Sequence, residues 1–555
     1  MPIDLRTVRH VVVYGFISFA AAGCSEKNTE ELLRDLRSTG ESQLTSSTGL
    51  RTLIASAKRG DKPALRGLID FYLSKPTSII YRALIEFDSL AALPAHLRCL
   101  GLEEKTGVQG VSDKMFALQA IDEIFRSKLK ASSLGETQLG KIETAVAGCL
   151  KHSQAKNDIG LRLAAINTLE ARIRHRSDIP VSETVKNTLV QIARTASTNQ
   201  SFRLARESLR ALGSTQDTGV LPVLVESLFR SSSTYGSSLF EARTGLAQFG
   251  DKAATFLEQA LSGHSEVITA FFKKNGITES AQISRIAVAL GDLHTPRAME
   301  QLTRRVANPN ARRSIRISGV IQSICRLGLT QAKYDLAALA NDQQANHIAR
   351  LHAIDSLQYI GDHRVVPALL KVSGNQSEDD VVRSRAISVA AILAKKKQYK
   401  RIVAVLNGLS EQKGLNLAVG ATTKAVQTYL AESKACKANL SCYIEILGNN
   451  GSDLEKTNYA AISMLRVRKG YLGIAALTKA FGRVSDDDRS LLLTVIERLV
   501  GHPKAKLEDL KSLQTTLEQS KQRESDSAKA FLGDEIQLRQ RLLSIRLGHI
   551  LSERS

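Results

Sequence analysis

Apolar residues recur along most of this 555-residue chain at steps of three and four, which places them on one face of a helix. The segment 205–224, "ARESLRALGSTQDTGVLPVL", shows the pattern: an amphipathic helix, a turn centred on glycine, and a second amphipathic helix. The strict apolar/polar alternation typical of strands is scarce. The pattern therefore predicts an all-α protein.

The same helix–turn–helix unit recurs at intervals of 33 to 41 residues. Aligned on the turn residue, the positions eight, four and one before it and eleven after it are apolar in every copy. The turn residues are Gly213, Gly250, Gly291, Gly328, Gly361 and Ala394. Glycine there is typical of a left-handed helix C-cap, and the following Asp251, Asp292 and Asp362 are predicted to start the next helix.

This period and frame resemble HEAT repeats of the armadillo type, including the short bacterial "LGD" variety. The tetratricopeptide signature, which begins with tryptophan, is missing from a chain without tryptophan. The resemblance implies a right-handed α-solenoid, in which stacked helix pairs form one continuous core and a concave surface. A globular helical bundle with similar helical hairpins is the alternative.

The repeat pattern and the regions on either side of it divide the chain into six segments. After about residue 503 the repeat gives way to two longer, charged helices, which we predict to be a hairpin that caps the array; a coiled-coil partner site is the alternative. The segments are a signal peptide (1–23), a tether or loosely docked first helix (24–49), N-terminal divergent repeats (50–200), HEAT-like repeats (201–410), C-terminal divergent repeats (411–502) and the hairpin cap (503–555).

The N-terminus has the pattern of a secretory signal peptide. Arg6 and Arg9 precede an apolar, uncharged run over 11–23, which ends at a polar stretch. Thirteen residues are too few to cross a bilayer as a helix, which takes about 20. The sequence therefore predicts export.

The end of this run resembles the cleavage motif of bacterial lipoproteins, since Ala21, Ala22 and Gly23 stand directly before Cys24. The resemblance implies cleavage before Cys24 and acylation of that residue, and Ser25 after it implies sorting to the outer membrane. A plain signal peptide with an incidental cysteine, and a cytosolic protein with an apolar first helix, are the alternatives.

The other five cysteines divide into two groups. Cys99, Cys149 and Cys325 lie inside apolar helical patterns, where a free cysteine behaves as a small buried hydrophobe. Cys436 is predicted to end one helix and Cys442 to begin the next. A disulfide between these two is plausible in an exported protein and requires Cα atoms within about 7 Å.

The formal net charge of +21 favours anionic partners. Two clusters of basic residues are candidate sites for them, with solvated repeat edges as the alternative. The first cluster comprises Arg304, Arg305, Arg312, Arg313 and Arg316, and the second comprises Lys395, Lys396, Lys397, Lys400 and Arg401.

No catalytic motif stands in the context that its chemistry needs. The segment 135–142, "GETQLGKI", matches a phosphate-binding loop in part, but Ile142 follows the lysine where a hydroxyl residue is required. The eleven histidines never form HExxH, so no metal site and no cofactor are predicted.

These observations predict a non-catalytic, lipid-anchored scaffold on the periplasmic side of a bacterial outer membrane. Its partners would be envelope proteins, or an anionic polymer or lipid, bound through the solenoid surface. The alternative is a nucleic-acid-binding protein similar to the HEAT-like alkylpurine DNA glycosylases, which the charge favours and the signal peptide opposes. An enzyme similar to the HEAT-like phycobilin lyases is a third class, for which no chromophore site is visible.

Overall fold

The structure is a computed structural model, and it is built almost wholly of α-helices. A short antiparallel ladder pairs β1 (Ser231–Ser232) with β2 (Gly236–Ser237). The prediction of an all-α protein is therefore confirmed. The structure describes residues 28–554 except 40–42, 45–46, 88–89, 102–110, 152–158, 196–198, 233–235, 309–316, 411–416, 450–452, 485 and 525–531.

The chain forms two compact units, an N-terminal unit (residues 1–149) and a C-terminal unit (150–555). The boundary predicted after residue 200 separates divergent from HEAT-like repeats and stays a prediction, and the helices between 159 and 194 pack into the C-terminal unit. The helices of the N-terminal unit are α1 (Thr29–Ser38), α2 (Thr48–Lys58), α3 (Lys62–Ser74), α4 (Ser78–Leu84), α5 (Leu93–Leu100), α6 (Val111–Arg126), α7 (Lys128–Ser132) and α8 (Glu136–Lys151), which runs across the boundary.

Of the two alternatives for residues 24–49, a tether or a docked first helix, the structure has a docked helix at Thr29–Ser38. Asn28 caps α1: its side chain accepts a hydrogen bond from the Glu31 amide, and the Glu31 side chain accepts one from the Asn28 amide. Leu32 and Leu36, one turn apart, are buried, and α1 packs on α2 and α3. Burial of two leucines outweighs the polar composition that suggested a tether.

In the C-terminal unit the helices form two parallel rows. Along the first row each helix packs on the next, and most helices of the second row do the same, which confirms the predicted solenoid of stacked helix pairs. The first row consists of α9 (Ile159–His175), α11 (Asn199–Gly213), α13 (Leu239–Phe249), α16 (Glu279–Leu293), α18 (Ser318–Leu327), α20 (His347–Ile360), α22 (Asp380–Leu393), α24 (Leu417–Cys436), α26 (Leu454–Met464), α28 (Asp486–Leu499) and α30 (Leu532–Arg554).

The second row lies outside the first. It consists of α10 (Glu183–Arg194), α12 (Leu221–Ser227), α14 (Asp251–Leu261), α17 (Pro296–Ala307), α19 (Lys333–Asn341), α21 (Val366–Gly374), α23 (Tyr399–Ser410), α25 (Leu440–Asn449), α27 (Ile474–Phe481) and α29 (Leu507–Glu524). One additional helix, α15 (Glu266–Lys274), lies between α14 and α16 and accounts for the longest interval between turn residues.

The turn glycines have two different structural roles. Gly328 and Gly361 have positive φ angles of 64° and 76° and cap their helices in the left-handed conformation, as predicted. Gly213 is instead the last helical residue of α11, and Gly291 lies two residues before the end of α16; at both positions a Cβ atom would overlap a neighbouring helix. At these two positions glycine permits close helix packing, and the predicted C-cap is wrong.

Replacing Gly213 by alanine is expected to lower the free energy of unfolding by about 1–3 kcal/mol. A Cβ at this position would lie 2.5 Å from the Cα of Gly245, so α11 and α13 would have to separate. The matched control is Gly408→Ala on α23, where a Cβ meets nothing within 4 Å. There the better helix propensity of alanine is expected to raise stability by up to about 1 kcal/mol. Urea denaturation measures whether each variant has a lower or a higher free energy of unfolding than the wild type. Equal changes in the two variants would contradict the packing role of Gly213.

The first row folds back on itself, with α24 at the bend. We call α26, α28 and α30 the return arm: α26 packs on α22, α28 on α18, and α30 on α13. These nested contacts cover the inner face of the first row with the chain's own helices. The C-terminal hairpin therefore does more than cap the end of the array, because α30 also packs against its middle.

Candidate functional site

Part of the predicted site lies outside the described residues. This applies to the signal segment 1–23, to the acylation site Cys24, and to Arg312, Arg313 and Arg316 of the first basic cluster. No helix among the described residues is both long enough and apolar enough to span a bilayer. Attachment through Cys24 therefore stays a prediction from the sequence.

The described half of the first basic cluster lies on α17 and is not uniformly exposed. Arg304 is exposed but forms an ion pair with Glu300, 2.5 Å away and one turn earlier. Arg305 is half-buried, and burial lowers the pKa of its guanidinium. These two arginines do not form the open cationic surface that the sequence predicted.

A groove of about 550 Å³ lies beside Arg304, between α14 and α17 of the second row. Both signs of charge line it. Arg297 pairs with Glu258 at 2.7 Å, and Gln301 donates a hydrogen bond to the same carboxylate at 2.6 Å. A groove with alternating charges can pair with a polypeptide that carries both acidic and basic side chains.

The second basic cluster lies at the turn between α22 and α23. Lys395, Lys396, Lys397, Lys400 and Arg401 are all exposed, and none forms an ion pair with a described residue. Gln398 joins this turn to the preceding one by donating a hydrogen bond to the carbonyl of His363 at 3.4 Å. The structure thus keeps these five predicted residues together on one exposed turn.

The following turn adds two basic residues that sequence reasoning missed. Lys434 lies in the last turn of α24 and Lys437 directly follows the helix, and both are exposed. A hydrogen bond between the hydroxyls of Tyr399 and Ser433 joins the two turns. The 33-residue interval between the preceding turn residues would have missed them, because it places the next turn near residue 427, inside α24.

Cys436 and Cys442 are joined by a disulfide across this turn, with their Cα atoms 5.4 Å apart. Cys436 is the last residue of α24 and Cys442 lies in the first turn of α25, as the sequence predicted. Between them Lys437 and Ala438 have φ angles of 49° and 62°, which residues other than glycine rarely adopt. The cross-link holds the turn in this unfavourable conformation.

A buried ion cluster joins the return arm to the first row. Asp292 accepts two hydrogen bonds from Arg243, at 2.6 and 3.0 Å, and one from Arg326 at 2.5 Å. Arg326 also contacts Glu497 on α28, which in turn accepts hydrogen bonds from Arg539 on α30 at 3.0 and 3.2 Å. All five side chains are at most 9% exposed, so the return arm is held by fully desolvated charges.

The environment keeps Glu497 ionised. Burial alone would raise the pKa of this carboxyl, but the charges of Arg326 and Arg539 outweigh burial and lower the pKa to about 2. The only sequence signal for the cluster is Glu497 itself, an acid inside the apolar run "LLLTVIERLV". Asp292 gave no such signal. Like Asp251 and Asp362 it follows a turn glycine, so the sequence predicted a helix start at this position and not a buried acid.

Many arginines serve as internal helix caps. Their guanidinium groups donate hydrogen bonds to the carbonyls that end a neighbouring helix, where the helix dipole also attracts a cation. Arg466, for example, bonds the carbonyls of Ile392 and Leu393 at the end of α22. The arginines with such contacts are Arg230, Arg285, Arg350, Arg383, Arg466, Arg483 and Arg546. A substantial share of the positive charge is therefore structural.

The three cysteines predicted to be free have no disulfide partner in the structure. Cys99 and Cys149 are buried and Cys325 is half-buried. Burial raises the pKa of Cys99 and Cys325 to about 12 and that of Cys149 to about 11, so the reactive thiolate is suppressed. Among the described residues no group of three or more histidine, cysteine or acidic side chains could hold a metal ion.

The fold and these sites define a class: a helical solenoid whose first row is folded back on itself and whose second row and turns face outward. No family model matches the sequence, and no curated protein matches it.

Several solved structures of long helical proteins are similar to this chain. A Kap95p structure concerned with RanGDP is 12% identical, with 88% of this chain and 67% of that chain covered and a TM-score of 0.39. Importin beta is 12% identical, with coverages of 94% and 86% and a TM-score of 0.35. A Kap121p mutant is 10% identical, with coverages of 97% and 68% and a TM-score of 0.34. At these identities and TM-scores, the similarity transfers no function to this chain.

Proposed function

We propose that this chain is a non-catalytic scaffold that binds protein partners on the outward surface of its helical array, while lipid on Cys24 holds it at a bacterial envelope membrane. The observation on which this rests is the position of the return arm. Because α26, α28 and α30 pack on the inner face of the first row, a partner must bind the second row or the turns.

The groove between α14 and α17 supports a protein as the partner. Its exposed Glu300 and Arg304 lie one helical turn apart and have opposite charges. A polypeptide can match both, whereas a nucleic acid would be repelled by the carboxylates. The outer membrane and its periplasmic face are the location that the residues around Cys24 favour.

The lipid anchor is tested by replacing Cys24 with serine in the full-length chain. The wild-type protein is expected to incorporate a radiolabelled fatty acid and to sediment with membranes after a high-salt wash. The Cys24→Ser variant is expected to lose the label. A wild-type chain that is unlabelled and stays in the cytosol would overturn the proposed anchor and favour the nucleic-acid alternative.

The partner site is tested by exchanging the two charges of the groove in the variant Glu300→Arg/Arg304→Glu. This variant keeps the net charge and the ion pair between the two positions, so its stability is expected to be unchanged. Chemical cross-linking in intact cells is expected to give a partner adduct with the wild type that the variant loses. An adduct that is equally abundant in both would place the partner site elsewhere.

A further inference from the structure

The two adjoining basic turns of the C-terminal unit form one continuous cationic surface, which we call the lysine edge. All of its residues are exposed, and none forms an ion pair with a described residue. It comprises Lys395, Lys396, Lys397, Lys400 and Arg401 from the turn after α22, and Lys434 and Lys437 from the turn after α24.

Two acids on the elements around the lysine edge, Asp362 and Glu432, are neutralised by other cations. Asp362, at the preceding turn, forms ion pairs with Lys333 and Arg364, each at 2.6 Å. Glu432, on α24, pairs with Lys456 at 3.2 Å. Partial burial and the positive charge of Lys395 lower the pKa of His363, which lies between these groups. The local potential is therefore positive, and its charge is available to an external anion.

The residue types on this edge favour a diffuse anionic surface over a discrete ligand. Six of the seven cations are lysines, which act as mobile point charges without the planar fork that an arginine offers to a single phosphate. Tyr399 is half-buried, and its hydroxyl group forms a hydrogen bond with that of Ser433. Its ring therefore offers no stacking platform for a nucleic-acid base. Two repeats earlier, in the first turn of α19, Tyr334 is 59% exposed, and the ammonium group of Lys333 lies 5.1 Å from its ring. An exposed tyrosine beside lysines is typical of a membrane interface.

We propose that the lysine edge docks on the surface of a bilayer that contains anionic phospholipid. Lysines near such a surface each strengthen binding about fivefold, and their effects multiply until they lie beyond the Debye length of about 8–10 Å. The proposal deepens the membrane attachment in the proposed function, because lipid on Cys24 would fix the chain to a membrane and the lysine edge would orient the C-terminal unit on it. The disulfide between Cys436 and Cys442 contributes by fixing the turn that presents Lys437.

Vesicle co-sedimentation tests this docking without the lipid anchor. Every chain in the experiment is full-length and contains Cys24→Ser, so the result does not depend on whether Cys24 is acylated in cells. Vesicles of phosphatidylcholine are compared with vesicles in which about one third of the lipid is phosphatidylglycerol, at about 0.1 M salt. The reference chain is expected to bind only the anionic vesicles.

The edge variant combines Lys395→Glu, Lys397→Glu and Lys434→Glu and is expected to bind the anionic vesicles at least about 100-fold more weakly. The control variant has the same net charge and reverses three exposed lysines elsewhere in the C-terminal unit, Lys252, Lys273 and Lys511. It is expected to change binding less than about threefold. If the edge variant misfolds by circular dichroism, the milder replacement of the same three lysines by glutamine takes its place.

Three results would overturn the proposal: equal weakening in the edge and control variants, equal binding of the reference chain to neutral vesicles, and no binding to either kind of vesicle. Capture of an acidic protein or a short DNA duplex by the lysine edge, without vesicle binding, would assign it to that partner instead. The fatty-acid labelling of Cys24 is a separate measurement, so failure of the anchor and failure of the docking surface are distinguishable.

Discussion

Replacing Asp292 by asparagine is expected to lower the free energy of unfolding of the C-terminal unit by about 3–5 kcal/mol. Asparagine keeps the shape of the side chain but removes the charge that holds two buried arginines. Arg243 is 2% exposed and donates hydrogen bonds to Asp292 at 2.6 and 3.0 Å, and Arg326, 9% exposed, contacts both Asp292 and Glu497. An uncompensated buried charge is costly, because it has lost both its partner and its water.

The control for this experiment is Glu300→Gln, which removes one carboxylate from an ion pair in the same unit. Both members of that pair, Glu300 and Arg304, are more than half exposed, so the expected loss is below about 1 kcal/mol. Urea denaturation followed by circular dichroism measures both variants. A loss at Asp292 no greater than the loss at Glu300 would show that the buried cluster contributes little to the return-arm contact.

Replacing Glu497 by glutamine is expected to remove a stabilising contribution that depends on pH. The folded-state pKa of Glu497 is lowered to about 2 from an ordinary value of 4.5. The contribution is therefore fully present above about pH 5, and it is lost as the pH falls from 4.5 towards 2. The shift corresponds to about 3 kcal/mol at neutral pH.

The measurement compares wild type and Glu497→Gln in urea at a series of pH values between 2 and 7. Other carboxyls with lowered pKa values, such as Asp217 and Asp362, destabilise both proteins equally in acid, so the difference isolates Glu497. We expect the two stabilities to converge as the pH approaches 2. A difference that stays constant down to pH 2 would mean that Glu497 is not ionised by its arginine neighbours.

The sequence predicted the local structure well, because local structure follows from periodicity. The steps of three and four located the helix pairs, and Gly328 and Gly361 have the predicted left-handed caps. The same motif failed at Gly291 and Asp292. There the helix continues to Leu293 and is capped by His294. Gly291, predicted to be a turn residue, instead packs against a neighbouring helix, and Asp292, predicted to start a helix, is buried. Only the neighbouring helices distinguish these two outcomes.

The sequence did not predict the return arm, because its contacts join residues far apart in the chain. Arg326 and Glu497 are separated by 171 positions, and no periodicity relates them. For a related reason, the net charge overstated how much positive charge is available to an anionic partner. Arginines that cap helix ends, such as Arg350 and Arg466, are indistinguishable in sequence from arginines that face solvent.

The return arm also constrains the order in which the chain can fold. α30 packs against α13, so this contact can form only after α30 has itself been synthesised. Until then the inner face of α13, α16 and α18 stays exposed together with three ionisable side chains, Arg243, Asp292 and Arg326. The inner face of the first row is therefore covered later during synthesis than in an array that closes repeat by repeat, because helices far apart in the chain must meet to cover it.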